Sequence, residues 1–171
     1  VQKLGLPLMV KPAQEGSTVG ATRVYAAADL SAAVKHAARF DSAVMIEKFI
    51  VGVDVTVAIL AGDALPSIRI EPASGFYDYH AKYLAEDTEY VCPGVVKDEE
   101  VAIQKIALQA FDALACKGWG RVDFMRSDTG DYFLLEVNTT PGMTDHSLVP
   151  MAAAQHGVNF EELVWRILQS S

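Results

Sequence analysis

The run "GWGRVDFM" (Gly118–Met125) and the run "DYFLLEVN" (Asp131–Asn138) are separated only by "RSDTG" (Arg126–Gly130). Both runs are rich in β-formers and the link carries Gly130, so together they read as an antiparallel hairpin. With a tight turn at Thr129-Gly130, the numbers of facing residues sum to a constant. Asp123 then falls opposite Glu136, and Arg121 opposite Asn138. Side chains alternate along a strand, so these four project from one face. Val122, Phe124, Phe133, Leu135 and Val137 take the other face, and all are apolar. One face is expected to be core and the other a polar cluster.

Two carboxylates and an amide oxygen are hard donors. They suit Mg²⁺, which takes one or two carboxylates and completes its octahedron with water and phosphate. Arg121 cannot bind a cation, but it can hold the phosphate a cation brings or neutralise charge that develops in transfer. A solvated face with an ordinary ion pair from Arg121 to Asp123 or Glu136 would give the same pattern. The rest of the chain has to separate the two.

The 171 residues are 51% hydrophobic and 21% charged, with a formal net charge of -8. That length holds one good-sized core or two small ones. The acidic balance argues against nucleic acid or an anionic membrane as the main partner. No apolar run approaches the roughly 18–20 residues of a membrane span. Cys92 and Cys116 sit in no CxxC pattern and read as reduced thiols, and the four histidines lack ligand spacing. The opening "VQKLGLPLMVKP" has neither an initiator Met nor a signal-peptide layout, and reads as entered midway through a protein.

Outward from the hairpin, Leu6–Pro12 reads as a strand, followed by a Gly/Ser/Thr loop and a return strand ending near Tyr25. Asp29–Phe40 has helical spacing, with Asp29 as N-cap. Ala43–Ile50 is a strand, and "DVTVAILAGDALPSIRIEP" reads as two strands around Gly62-Asp63. "SGFYDYHAKYLAEDTEYVCPG" lacks periodicity and reads as a long functional loop. Asp98–Leu114 is a helix with Val101, Ile103, Ile106, Ala107, Ala110, Phe111 and Leu114 on its apolar face. "SLVPMAAAQHG" is a short helix closed by Gly157, and a last helix follows with Asn159 as N-cap. Strands and helices are mixed and hairpins abound, so the fold class is α+β.

Several segments could serve a phosphate ligand. Lys11 stands at a strand end before a loop with Gly16, Ser17, Thr18 and Gly20, whose backbone N–H groups and hydroxyls can approach phosphate oxygens. No GK[ST] closes this loop, so it is not a Walker A, and a plain hairpin loop fits it equally. Glu47 lies at a strand end before Lys48 and Phe49, where a carboxylate and open backbone groups could read an adenine edge. Asp54 could take ribose hydroxyls. Lys82 and Tyr83, in a loop with Phe76, Tyr77 and Tyr79, suit a lid over phosphate. Ser147 lies near a helix N-terminus, which fits an anion or a plain helix cap.

With these residues in hand, the chain resembles the ATP-grasp superfamily, and within it the D-alanine–D-alanine ligases of bacterial peptidoglycan synthesis. The stretches that carry the resemblance are "VKPAQEGSTVG", "IEKFI", "TVAIL", "LPSIRI", "FYDYHAKY", "CKGWGRVDFM" and "LLEVNTTPGMTDHSLVPMAA", in family order along nearly the whole chain. The resemblance implies an ATP-grasp fold, two α/β subdomains with mainly antiparallel sheets clamping the nucleotide. Residues 1–54 would be the remainder of the central subdomain and 55–171 the C-terminal subdomain, with the N-terminal substrate domain absent.

The resemblance also implies roles. Asp123, Glu136 and Asn138 would hold two Mg²⁺ ions, or Mn²⁺ in their place, bridging the ATP phosphates. Lys11 would contact phosphate and the neighbourhood of adenine. Glu47 and the backbone at Phe49 and Ile50 would read adenine, Asp54 the ribose, and Lys82 the γ-phosphate. Arg121 and the Gly142 amide would hold the acyl phosphate and the tetrahedral intermediate. Ser147 would bind the carboxylate of the second D-alanine, and Ser17 with Tyr83 would form a positioning relay. Tyr83 implies D-alanine as acceptor, because D-lactate-accepting members do not keep a tyrosine there. Asp54 stands where the family usually has glutamate, Thr18 replaces a common serine, and His80 replaces an acidic residue. The full-length enzyme would be cytoplasmic and homodimeric, while this piece alone would complete no ligase cycle. Two alternatives stand beside this reading: another ATP-grasp carboxylate–amine ligase, and a nucleotide-binding module without turnover.

Overall fold

A computed structural model describes residues 1, 3–16, 18–71, 88–144 and 146–170. They fall into two compact units, residues 1–51 and residues 52–71 with 88–170.

In the first unit, β1 (Leu8–Pro12) is the middle strand, with β2 (Thr22–Val24) and β3 (Val44–Lys48) antiparallel on either side. Leu8, Val10 and Val24 are buried on one face, against Ala33 and Ala37 of α1 (Leu30–Ala37). Small alanines let the short helix sit close to the sheet. Asp29 occupies the N-cap position, but its side chain makes no capping bond. A 3₁₀ turn over Ala27–Asp29 runs straight into the helix and keeps Asp29 helical rather than extended.

The second unit is built on β4 (Gly52–Leu60) and β8 (Trp119–Ser127), paired antiparallel along their whole length. The sheet order is β7-β6-β4-β8-β9, with β5 (Asp63–Ala64) paired to β4, β6 at Ile68–Glu71 and β9 at Tyr132–Asn138. Strand β7 (Glu89–Val91) pairs with β6 and lies inside the stretch expected to be loop. Three residues at a sheet edge carry too little periodicity to be read.

Helix α2 (Lys97–Ala113) buries Ile103, Ala107 and Phe111 against Val55, Val57, Ile59, Val122 and Phe124. The buried stripe is i, i+4, i+8, narrower than expected: Val101 and Leu114 are exposed. Burying each of the larger side chains contributes about 1.5–3 kcal/mol. Ala58 and Leu60, which alternate with Val57 and Ile59, are buried as well, as are Ile68 and Ile70, which pair with Thr56 and Asp54. Two further helices, α3 (Leu148–Gln155) and α4 (Phe160–Ser170), contact β4. Gly157, at φ +83°, closes α3, and the Asn159 side chain caps α4 by accepting from the Glu162 N–H at 2.9 Å.

The first turn of α2 carries Asp98, Glu99 and Glu100, which suits the positive end of the helix dipole. Two of these carboxylates also clamp the helix to the sheet. Glu100 accepts from the buried Ser67 through its N–H at 2.6 Å and its hydroxyl at 2.5 Å. Glu99 accepts the Arg126 fork at 3.0 and 2.9 Å and the Tyr132 hydroxyl at 3.0 Å. Burial, then the Glu99 carboxylate, push the Tyr132 phenol up to about 12, so it stays a donor. Burial and the nearby Glu100 charge push the Cys92 thiol up to about 11, and both cysteines are free.

The β8–β9 hairpin keeps the expected register at its open end. Asp123 faces Glu136 and Arg121 faces Asn138. Nearer the turn the ladder shifts: Phe124 faces Leu134 and Met125 faces Phe133. Leu135 is the extra residue of a bulge. Val122 and Phe124 are buried as expected, but Phe133 and Leu135 are 41% and 44% exposed. The bulge and the edge position of β9 take them out of the core.

The Arg126 and Tyr132 hydrogen bonds hold the Glu99 carboxyl below its ordinary value of 4.5. The unfolded chain therefore takes up that proton first, and this contribution, present above 4.5, is lost as pH falls through the lowered folded value. Urea unfolding from pH 7 downward is expected to show a smaller acid loss of stability in Glu99→Gln than in the parent. Identical acid slopes would show that the clamp does not depend on charge.

Candidate functional site

The candidate site of the second unit lies on the sheet face opposite α2. Asp123 sits in the middle of β8, flanked by Thr56 of β4 and Glu136 of β9. Its Oδ1 accepts from the Thr56 hydroxyl at 2.6 Å and from Arg121 Nε at 2.8 Å. Its Oδ2 accepts from Arg121 Nη2 at 2.8 Å and from Asn138 Nδ2 at 2.9 Å. Asn138 Nδ2 also approaches Glu136 Oε1 at 3.4 Å, so the amide bridges the two carboxylates. Asp54 lies two positions before Thr56 on the same face of β4, facing Ile70 and Met125.

This donor set fits a hard divalent cation. Two carboxylates and one amide group meet within hydrogen-bond range, and the amide uses its nitrogen on the carboxylates and keeps its oxygen for another partner. Among the described residues no three His, Cys, Asp or Glu side chains gather to hold a metal ion. Arg121 forks onto Asp123 with both side chains less than a fifth exposed. The fork fixes a positive charge beside the two carboxylates, and a guanidinium is suited to pairing with anionic oxygens.

The loop after β9 brings Gly142 and Ser147 together. A Cβ on Gly142 would stand 2.9 Å from the Ser147 hydroxyl oxygen. Ser147 occupies the N-cap position of α3, but its hydroxyl makes no capping bond. It accepts instead from the Thr144 N–H at 2.9 Å and bonds the Thr144 hydroxyl at 2.9 Å. The hydroxyl closes the loop rather than the helix.

In the first unit, the sheet face away from α1 carries Lys11 and Glu47, joined by a 2.7 Å ion pair. The Phe49 N–H donates to the Pro7 carbonyl at 3.1 Å, and Ile50 follows it out of β3. The Phe49 ring lies under the Arg23 guanidinium, 5.6 Å from its centroid, and packs edge-on to Tyr25. Ser17, Lys82 and Tyr83 lie outside the described residues.

Sequence reasoning missed Thr56, Arg23 and Tyr25. For Thr56 the signal was present: it alternates with Val55 and Val57 and so shares a face of its strand with Asp54. Arg23 and Tyr25 are recognisable only once β2 is seen to pair with β1. No described helix is long and apolar enough to cross a membrane.

The sequence profile described as "D-ala D-ala ligase C-terminus" matches residues 1–169. The D-alanine–D-alanine ligase B of Xanthomonas campestris pv. campestris is 57% identical over 171 residues, covering 99% of this chain and 54% of that protein. Among solved structures, the VanG D-Ala:D-Ser ligase of Enterococcus faecalis superposes with a TM-score of 0.86 at 34% identity, covering 98% of this chain and 50% of that one. A Bacillus anthracis D-alanine–D-alanine ligase complexed with ATP gives a TM-score of 0.84 at 32% identity, covering 99% and 53%. The chain belongs to the D-ala D-ala ligase C-terminus family and has the ATP-grasp fold. It spans about half the length of the relatives it matches.

Gly120 sets how closely β8 approaches its neighbours beside this cluster. A Cβ there would meet Phe111 Cε2 at 2.6 Å and the Asn138 carbonyl oxygen at 2.8 Å. Gly120→Ala is expected to cost about 1–3 kcal/mol in urea unfolding, because neither backbone nor ring can yield without repacking. An unchanged midpoint would contradict this packing.

Proposed function

We propose, from membership of this family and from the cluster on β8 and β9, that the chain carries the nucleotide-binding and phosphoryl-transfer part of an ATP-dependent D-alanine–D-alanine ligase. The observation that carries the reading is the convergence of Asp123, Glu136, Asn138 and Arg121 on one face of a hairpin. Asp123, Glu136 and Asn138 hold two Mg²⁺ ions, with Mn²⁺ accepted in their place. Bound there, the metal lowers the repulsion between two anionic reactants, which is the main obstacle in phosphoryl transfer.

The chain's own residues bind and orient. Lys11 and Glu47 leave their ion pair to meet phosphate and adenine. The Phe49 N–H is already committed to Pro7, so Ile50 supplies the N–H of the adenine edge and Phe49 its carbonyl. Asp54, one methylene shorter than the family's usual glutamate, takes the ribose, and Lys82 the γ-phosphate. The carboxylate of the first D-alanine attacks the γ-phosphorus, an O–P bond forms and ADP leaves with the electron pair of the broken bond. Arg121 and the Gly142 amide steady the resulting acyl phosphate. The second D-alanine, its carboxylate on Ser147, attacks the carbonyl with its amine. A C–N bond forms, phosphate leaves, and the amine proton is released. Ser17 and Tyr83 position the first amino acid and favour D-alanine.

In this reading residues 1–54 and 55–171 serve as the two ATP-grasp subdomains. The assembled enzyme works as a homodimer in the cytoplasm, and its product enters peptidoglycan synthesis.

The test is phosphate release from ATP with Mg²⁺ and D-alanine. The 171-residue chain is compared with the same chain fused to the part of the Xanthomonas relative outside the matched span. The chain alone is expected to release none and the fusion to turn over. Glu136→Gln should lower that rate by about 10²-fold or more. A fusion that binds ATP but prefers D-serine, as the Enterococcus neighbour's name indicates for that protein, would move the acceptor assignment. A fusion that binds ATP and releases no phosphate with either amino acid would overturn the ligase reading.

A further inference from the structure

Two polar side chains are buried among the described residues, Thr56 and Ser67. The Ser67 hydroxyl joins strand β6 to helix α2 through Glu100. The Thr56 hydroxyl joins no second element in this way and reaches only β8, the strand its own backbone already pairs with. It lies between Val55 and Val57 in the central strand, where an apolar side chain of the same shape would fill the space. A buried hydroxyl left without a partner would cost about 1–3 kcal/mol, so its partners decide why it is tolerated there. Its single proton has two acceptors in reach, Asp123 Oδ1 at 2.6 Å and the Val122 carbonyl at 3.2 Å. The bond to the carboxylate is shorter and charge-assisted.

Asp123 is saturated. A carboxylate offers about four lone-pair sites, and Thr56, the two Arg121 nitrogens and Asn138 fill them. A cation can enter only as a donor leaves. Arg121 is long and can turn to an incoming anion, and Asn138 sits at the end of an edge strand. Thr56 is short, β-branched and 2% exposed, so its χ1 is restricted and no water can replace it.

We propose that Thr56 is a positioning residue of the metal site. It holds the Asp123 carboxylate in one orientation while Arg121 exchanges for the cation. This rests on the reading of Asp123 as a metal ligand. A partner that orients a ligand in this way is worth about 10–100-fold in metal affinity.

The experiment titrates Mn²⁺ with ADP into the 171-residue chain and reads the protein-bound ion by proton relaxation enhancement. Thermal midpoints are measured alongside. Thr56→Val keeps the shape and removes the hydroxyl, and Thr56→Ser keeps the hydroxyl. The expected result is Mn²⁺ affinity at least tenfold weaker in Thr56→Val, near parental affinity in Thr56→Ser, and midpoints close to the parent in both. Parental affinity in Thr56→Val, with binding lost in Glu136→Gln, overturns the role of Thr56 and leaves the metal site standing. Equal weakening in both Thr56 variants, in step with falling midpoints, overturns it in favour of packing. Unaltered Mn²⁺ binding in Glu136→Gln overturns the site and this role together.

Discussion

The unbroken antiparallel ladder between β4 and β8, from Gly52 opposite Ser127 to Leu60 opposite Trp119, sets everything else in the second unit. A strand has a period of two, so one register decides both faces together. With Val55, Val57, Val122 and Phe124 buried under α2, Asp54, Thr56, Arg121 and Asp123 must project from the other side. Magnitudes say which face governs. Each buried aliphatic or aromatic side chain contributes about 1.5–3 kcal/mol, while an ion pair with solvent access contributes about 0–1 kcal/mol. The core fixes the register, and the polar cluster is placed as a consequence.

Placement alone would not make the cluster stable. Asp123 and Glu136 face each other across two strands, and like charges in that position repel. The Arg121 fork and the bridging Asn138 amide offset that repulsion. Under the proposed function the same groups would serve the chemistry: a guanidinium that neutralises a carboxylate would become available to an anion once a cation took over that duty.

Much of this was legible in the sequence, for reasons that can be located. Strong alternation made the Asp123–Glu136 and Arg121–Asn138 pairings readable, because apolar residues on the opposite face left one register. It failed at Leu135, since a bulge adds a residue without changing composition. The Asp29 cap failed because residue type cannot tell an N-cap from the last residue of a preceding 3₁₀ turn. The Ser147 position was right, but the competing partner, Thr144, depends on the path of the loop. The Lys11–Glu47 ion pair crosses between two strands brought together by β1–β3 pairing, which no local pattern encodes. Thr56 was visible and overlooked, because a threonine in a β-branched run looks like strand propensity and nothing more.

Strand β9 ends the sheet order, and Phe133, Leu134 and Leu135 lie on it half in solvent. Among the described residues no strand pairs with the outer edge of β9, and an open edge beside three consecutive apolar side chains is a template for pairing between chains. The bulge at Leu135 breaks the flatness that such stacking needs, and Glu136 follows it directly with a charge. The net charge of -8 adds a longer-ranged repulsion between molecules. Salt screens that repulsion over about 8–10 Å but leaves the apolar edge unchanged. Added salt therefore removes the long-ranged protection and leaves the bulge and the Glu136 charge as the guards of this edge.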